Sequence, residues 1–587
     1  MSSNAKALIA AAVAGVMVVG MVYWWNRPDT SETPRAGCET VVVAASVEKS
    51  DLMAEAANRY NTSDREVADS CYGISVAPMA SGIAESRLTE ARWDPAWGPA
   101  PDAWTPAAST WLELLRYDRA AQDRPDILAA ENESVISTPI VLAMPEPKAR
   151  ALGWPDAEIG WSDLLELAQT PGGWAAKGHP EWGAFKMGKT NPNVSTSGLS
   201  ATVGTFVAAT GTSSDLTLDT LKDPRVRDFV AGVEKSVAHY GDTALTFLTN
   251  LRRADDAGAA LGYVSAVVVE EKSIVDYNEG NPTGDLDAED DLVKPRVPLV
   301  AIYPKEGTLN SDSPFAILEA SWSASGKQAG AKDFMAFLRE PAQQELFTDA
   351  GFRTYDGKPG HAVSDNEYLA DDPGVMLSPP SPPVLAAVRS AWTELRKPAR
   401  VLLVLDVSGS MGQSAGGGAS RLELAKQATV NGLSQLSDTD QVGLWTFPSD
   451  AGVYWQQLPL APLGPERQLM KTRIEQLIPS GGTPLYAVTR GAVEAVRAGA
   501  GDDTINAVVV MTDGKNEYPD DNDLDGLIRQ LEDQALEDGV RVFTIAYGGD
   551  ADFDSVKRLS EASRAAAYDA TDPLTINAVF TNVLTNF

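Results

Sequence analysis

Histidine and cysteine are nearly missing from this chain. Its 587 residues hold three histidines, His179, His239 and His361, and two cysteines, Cys38 and Cys71. So few histidines nearly exclude a multi-histidine metal centre and leave little room for a histidine-based catalytic triad. Two cysteines exclude a disulfide-dense scaffold; they form one disulfide if the chain is exported, or serve as two small buried hydrophobes. Positive charge is also scarce. Lys and Arg number 48 against 81 Asp and Glu, a net charge of −33. Such a surface repels phosphate backbones, which argues against a nucleic-acid partner. No phosphate loop of the G-x-x-x-x-G-K-[ST] type and no redox motif is present, and Ser408-Gly409-Ser410 is not a nucleophile elbow. The chain therefore reads as a binding protein and not an enzyme. Its 44% apolar and 22% charged content is that of folded domains. Its length suggests about three or four of them.

The one long charge-free run lies at the start. Residues 7–25 (ALIAAAVAGVMVVGMVYWW) sit between Lys6 and Arg27 and end in Tyr23, Trp24 and Trp25. At about 1.5 Å per helical residue the run nearly crosses a hydrocarbon core of about 30 Å, and its aromatic end suits the membrane interface. The rival is a cleavable signal peptide. The run is long for that role and no A-x-A pattern follows closely, which favours a single-pass anchor within residues 1–27. The acidic bulk and the cysteine pair favour a cell-membrane protein with residues 28–587 outside the cell. Residues 26–37 read as a polar tether.

The first large unit, 38–362, opens with the β-branched run Thr40–Ala45, a helix over 51–60 and a second strand over 73–77. This alternation predicts an α/β unit with parallel sheet, long enough for two lobes. Three loops, at Met79–Gly82, Ser137–Pro139 and Ser195–Leu199, place hydroxyls where strands should end. Each suits an anion site at a helix N-terminus, or plain helix capping. The acidic run Gly284–Asp291 lacks the spacing of a calcium loop and reads as a solvated surface.

The order of TVVVAASVEKSDLMAEAANRYN, PDAWTPAASTWLELL, STPIVLAMP, KTNPNVSTSGLSA, VVVEEKSIVDYN, LVAIYPKEGT and KDFMAFLREPAQQELFTDAGFR resembles a type 2 extracellular solute-binding protein over residues 38–358. The resemblance implies a two-lobed periplasmic-binding-protein-like domain with a ligand in the cleft. Ser81, Thr138, Ser197 and Glu270 are the candidate cleft residues, for a small molecule or anion.

Residues 363–397 form a Pro-rich linker and a helix. Asp371–Pro383 (DDPGVMLSPPSPP) predicts an extended, semi-rigid spacer, and the apolar spacing of 384–396 an amphipathic helix. The second unit, 398–587, alternates strands over 400–405, 441–447, 453–458, 506–512 and 540–547 with helices over 420–436, 465–478, 485–498, 524–537, 552–563 and 573–586. That is one doubly wound, Rossmann-like sheet with helices on both faces, whose ligands bind at the carboxyl ends of the strands.

Oxygen ligands gather at those ends: Asp406, Ser408 and Ser410 after one strand, Asp513 after another, and Thr483 in a glycine loop. Two carboxylates and three hydroxyls without His or Cys favour Mg²⁺, with Mn²⁺ or Ca²⁺ as alternatives. D-x-S-x-S, a Thr loop and T-D-G, in this order, resemble the von Willebrand factor type A domain and its metal-ion-dependent adhesion site. By that resemblance Ser408, Ser410 and Thr483 are direct ligands, Asp406 and Asp513 act directly or through water, and an Asp or Glu of a protein partner fills the open position. Asp521-x-Asp523-x-Asp525-Gly526 with Glu532 fits an EF-hand spacing, but Pro519 and the strand ending at Thr512 occupy the place of its entering helix. The expected function is that of a membrane-tethered extracellular binding protein; the alternative is the substrate-binding receptor of a membrane transport system.

Overall fold

The computed structural model describes residues 37–587 apart from 64, 212–215, 242, 287–291, 449–451 and 537–538. The expected anchor at 7–25, nearly all of its tether and most of the acidic run 284–291 lie outside the described residues. Among the described residues, no helix is long and apolar enough to cross a membrane.

The run TVVVAA lies within β1 (Glu39–Ala45), buried from Val41 onward. It pairs in parallel with β2 (Tyr72–Pro78) and β3 (Ala103–Thr105). Cys38 and Cys71, at the entries of β1 and β2, are joined as a disulfide. After β4 (Leu128–Ser134) the chain leaves this first lobe along β5 (Ile136–Pro145), ten residues that are all buried. The second lobe adds β6 (Met187–Thr190), β7 (Val237–Gly241), β8 (Ala266–Glu270) and β9 (Leu299–Ile302). The chain returns through β10 (Asn310–Ser311) and β11 (Pro314–Leu318) and touches β5 again at β12 (Arg353–Thr354). One sheet runs β2-β1-β3-β11-β4 and the other β10-β5-β8-β6-β7, with β9 and β12 also paired to β5. β5 and β10 are therefore the crossover, where Thr138 faces Ser311.

The lobes are in direct contact. The Gly82 amide donates to the Val194 carbonyl at 2.8 Å, and the Trp111 indole donates to the Thr196 hydroxyl at 2.8 Å. A Cβ at position 82 would lie 2.1 Å from the Asn193 carbonyl oxygen, so only glycine permits this approach.

The Pro-rich segment is extended, as its composition predicts, but it is not a free spacer. Thr308 donates to Val375 at 2.9 Å and accepts from Leu377 at 2.7 Å, while Arg353 binds the carbonyls of Ala370 and Asp371 at 2.7 and 2.6 Å. Peptide groups that proline leaves available thus pair with the first unit. The helix Pro382–Leu395 follows, with Val384, Leu385, Val388, Ala391 and Trp392 buried. It packs on helix Thr110–Ala121 of the first lobe and on helices Thr196–Thr210 and Pro224–Lys235 of the second. Its Arg389 donates to Asn193 at 3.0 Å and lies 3.6 Å from both Glu85 and Asp118.

The second unit contains β13 (Ala399–Asp406), the small hairpin β14 (Ser414–Gly416) and β15 (Ala419–Ser420), then β16 (Gln441–Phe447), β17 (Trp455–Pro462), β18 (Ile505–Thr512), β19 (Arg541–Tyr547) and β20 (Ala567–Ala570). The main sheet has the order β17-β16-β13-β18-β19-β20. All its pairings are parallel except that of the edge strand β17. Because side chains alternate along a strand, Val401, Leu403 and Leu405 enter one core and Leu402 and Val404 the other. Two features differ from expectation. The strand expected over 453–458 runs later and antiparallel, and β20 is unforeseen because its AYDA sequence is half-exposed and carries no apolar run.

A buried polar joint ties the units together. The Glu234 carboxylate accepts from Lys189, from the Tyr240 hydroxyl at 2.5 Å and from the Trp392 indole at 3.2 Å. Lys189 and Glu234 are fully buried. Asn191 donates to the Thr585 carbonyl at 2.9 Å and Arg253 pairs with Glu561 at 2.6 Å. One apolar cluster runs from Leu142, Trp161 and Trp174 through Trp392 to Leu403 and Val579.

Two outcomes follow. Glu234→Ala leaves the Lys189 ammonium buried without its carboxylate and should cost about 3–5 kcal/mol; an unchanged urea midpoint would contradict this. Gly82→Ala should wedge the lobes apart, seen as a larger radius of gyration by small-angle X-ray scattering.

Candidate functional site

β13 and β18 are adjacent and parallel, so their carboxyl ends bring Asp406 and Asp513 together. Both carboxylates are fully buried, as is Ser408, while Gly409, Gly481 and Gly482 at the rim are exposed. The Ser410 hydroxyl donates to Asp513 Oδ1 at 2.7 Å. The Ser408 hydroxyl lies 2.9 Å from that of Ser410 and 3.4 Å from Asp513 Oδ1. The Gly409 amide, donating to the Gly481 carbonyl at 3.0 Å, draws the glycine loop over the strand ends. Thr483 is buried beneath that loop, with its hydroxyl close to Gly514. Ser408, Ser410 and Asp513 are thus in contact, with Asp406 joined through the Ser408 amide and Thr483 placed beside Gly514, next to Asp513.

The donor set fits a hard divalent cation. Octahedral Mg²⁺ with ligands at about 2.1 Å places neighbouring oxygens about 3 Å apart. The spacings of Ser408, Ser410 and Asp513 Oδ1, 2.7–3.4 Å, bracket that value. Asp406 is committed differently. Its Oδ1 accepts the Ser408 amide at 2.7 Å and its Oδ2 the Thr512 hydroxyl at 2.7 Å. That arrangement suits action through water. Burial pushes the Asp406 carboxyl up to about 7, against the pull of those hydrogen bonds.

Sequence reasoning missed Arg421 here, and read Thr512 only as part of the T-D-G run without a role of its own. Arg421 donates to Asp513 Oδ2 at 2.9 Å and to Asp550 at 3.0 Å. A cation at the first position of a helix, where the macrodipole disfavours it, was the available signal.

The four candidate cleft residues fall into three settings. Thr138 and Glu270 lie at the crossover, where Thr138 accepts the Lys272 amide at 3.3 Å. Ser81 accepts the Ala107 amide at 3.0 Å, at the contact between the lobes. The Ser197 hydroxyl turns inward, 3.0 Å from those of Thr190 and Ser195. Neither Ser81 nor Ser195 caps the helix it precedes or begins, so plain capping does not account for these hydroxyls. Opposite Glu270 lies Lys49, also missed from sequence; it is buried and donates to the Pro106 carbonyl at 2.8 Å. Burial raises the Glu270 carboxyl and lowers the Lys49 ammonium, each tempered by the other's charge. Among the described residues, the buried hydroxyls of Ser46, just after β1, of Thr105 in β3 and of Ser273 in the helix Glu271–Glu279 have no hydrogen-bond partner. The EF-hand-like spacing is spent elsewhere: Asp523 accepts the Gly526 amide at 2.8 Å, and Asp521 pairs with Arg490 at 3.4 Å.

Residues 41–353, just over half of the chain, match the family described as bacterial extracellular solute-binding protein, and residues 401–582 match the von Willebrand factor type A domain. An uncharacterised protein of Mycobacterium tuberculosis is 25% identical over 585 residues, covering 95% of this chain and 79% of its own length. Inter-alpha-trypsin inhibitor heavy chain H2 of Sus scrofa is 28% identical over 176 residues, 29% of this chain and 18% of that one. Among solved structures, the periplasmic binding protein AfuA from Actinobacillus pleuropneumoniae is 14% identical, covers 61% of this chain and 99% of its own, and has a TM-score of 0.39. A von Willebrand factor type A protein from Catenulispora acidiphila is 18% identical, covering 32% and 42%, with a TM-score of 0.26. The chain belongs to the bacterial extracellular solute-binding protein family and carries a von Willebrand factor type A domain behind its solute-binding domain.

Proposed function

We propose that this is an extracellular binding protein tethered to the cell membrane by residues 7–25, which grips an acidic side chain of a protein partner through a divalent cation and takes a small solute in its two-lobed domain. The observation that carries the reading is the clustering of Ser408, Ser410 and Asp513 oxygens at spacings suited to Mg²⁺. Ser408, Ser410, Thr483 and Asp513 would hold the ion. Asp406 would orient the serine loop through its bond to the Ser408 amide. When bound, the ion supplies Lewis acidity toward an external carboxylate. The exposed glycines at the rim leave room for that carboxylate to approach.

In the solute-binding domain, Lys49, Glu270 and the unpartnered hydroxyls of Ser46, Thr105 and Ser273 offer both charge signs and several donors to a small polar solute. Entry requires parting the lobes at Gly82 and Trp111.

Isothermal titration of the full chain with MgCl₂ should show one site. Asp513→Ala should weaken it by more than about 100-fold, beyond what loss of an outer partner costs, while circular dichroism stays native. An isotherm unchanged in Asp513→Ala would sink the metal assignment. Mass spectrometry of small molecules released from the denatured full chain should find a solute that Glu270→Gln no longer retains; equal retention by both proteins would refute the cleft assignment.

A further inference from the structure

Arg421 opens the helix Arg421–Gly432, and its side chain turns back toward the strand ends. The side chain is only 10% exposed. It joins Asp513 Oδ2 at 2.9 Å to Asp550 at 3.0 Å. Its backbone is fixed at both polar groups, the amide donating to the Gln413 carbonyl at 2.9 Å and the carbonyl accepting the Tyr547 hydroxyl at 2.9 Å. The surface is shaped to admit it. Gly548 has φ +77°, and a Cβ there would lie 3.0 Å from the guanidinium Cζ and Nε. One carboxylate is thereby divided, with Asp513 Oδ1 taken by Ser410 and Oδ2 by Arg421.

The charges decide what this does. With both carboxylates ionised, Asp406 and Asp513 bring −2 and Arg421 +1, so the buried cluster carries −1. A divalent cation makes that +1; without Arg421 it would make it zero. Asp550 is 67% exposed and its charge is largely screened. Resting on the metal reading above, we propose that Arg421 is a built-in counter-cation: its charge beside Asp513 weakens cation binding and leaves the loaded site a positive charge with which to hold an anionic partner group. A purely structural arginine would lower cation affinity when removed; a counter-cation raises it.

The test is titration of the full chain with MgCl₂, for the wild type, Arg421→Gln and Arg421→Lys, with thermal unfolding in EDTA alongside. Arg421→Gln should bind Mg²⁺ about tenfold tighter, since one buried unit of positive charge is gone, and should melt lower without metal because Asp513 has lost its partner. Arg421→Lys, which keeps the charge, should stay within about threefold of the wild type. Equal or weaker Mg²⁺ binding by Arg421→Gln, with the wild type binding normally, overturns the inference alone. Absence of binding by the wild type overturns the metal reading and this inference with it. Should Arg421→Gln not fold, Arg421→Met decides: Mg²⁺ binding tighter than the wild type supports the counter-cation, and equal or weaker binding overturns it.

Discussion

The architecture hangs on one buried carboxylate. Glu234 is a helix residue of the second lobe, yet its hydrogen bonds collect an ammonium from the adjacent strand, a phenol and the indole of the linker helix. A carboxylate removed from water is tolerable only when nearly every lone pair is used. The linker helix is therefore seated where it completes that set. Tyr240, held by Glu234, in turn accepts the Lys397 amide at 3.4 Å, two residues before β13 begins. The second sheet thus starts from a point fixed in the first domain, and the apolar cluster continues across the boundary.

This joint places the carboxyl ends of β13 and β18 and the contact between the two lobes on a common frame. The linker helix touches helices of both lobes, through Arg389 toward Glu85 and Asp118 and through Trp392 toward Glu234. Parting the lobes must therefore stretch the Arg389 contacts or carry the helix with one lobe. Trp392 and Lys397 bind Glu234 and Tyr240 of the second lobe, which ties the von Willebrand factor type A domain to that lobe.

Local pattern disclosed much of this. The strands with long, mostly apolar runs, β1, β13, β18 and β19, were legible because burial on both faces demands such runs. Asp406, Ser408, Ser410, Thr483 and Asp513 were legible as a group because strand ends and glycine loops leave a signature at fixed positions. β17 and β20 were less so: an edge strand and a half-exposed four-residue strand need no apolar run. The pinning of Asp371–Pro383 against Thr308 was hidden, because proline content reports which bonds a segment cannot make and not which carbonyls await it. Arg421, Lys49 and the Glu234 joint were hidden for a related reason. Each is a charged residue whose meaning comes mainly from partners far off in the chain, up to 221 positions away, and no local spacing encodes that.

The division of labour in the helix Pro382–Leu395 has a practical corollary for anyone cutting the polypeptide into expressible pieces. By covalent order the helix looks like the lead-in to the C-terminal half, yet its greasy side is spoken for by the N-terminal half. A fragment beginning at Pro382 would export Val384, Leu385, Val388 and Trp392 into solvent, while one ending at Ser381 would uncover their seats. The natural scissors mark lies after the helix, at the short stretch before Ala399, and even there the cut exposes a shared apolar seam on both products.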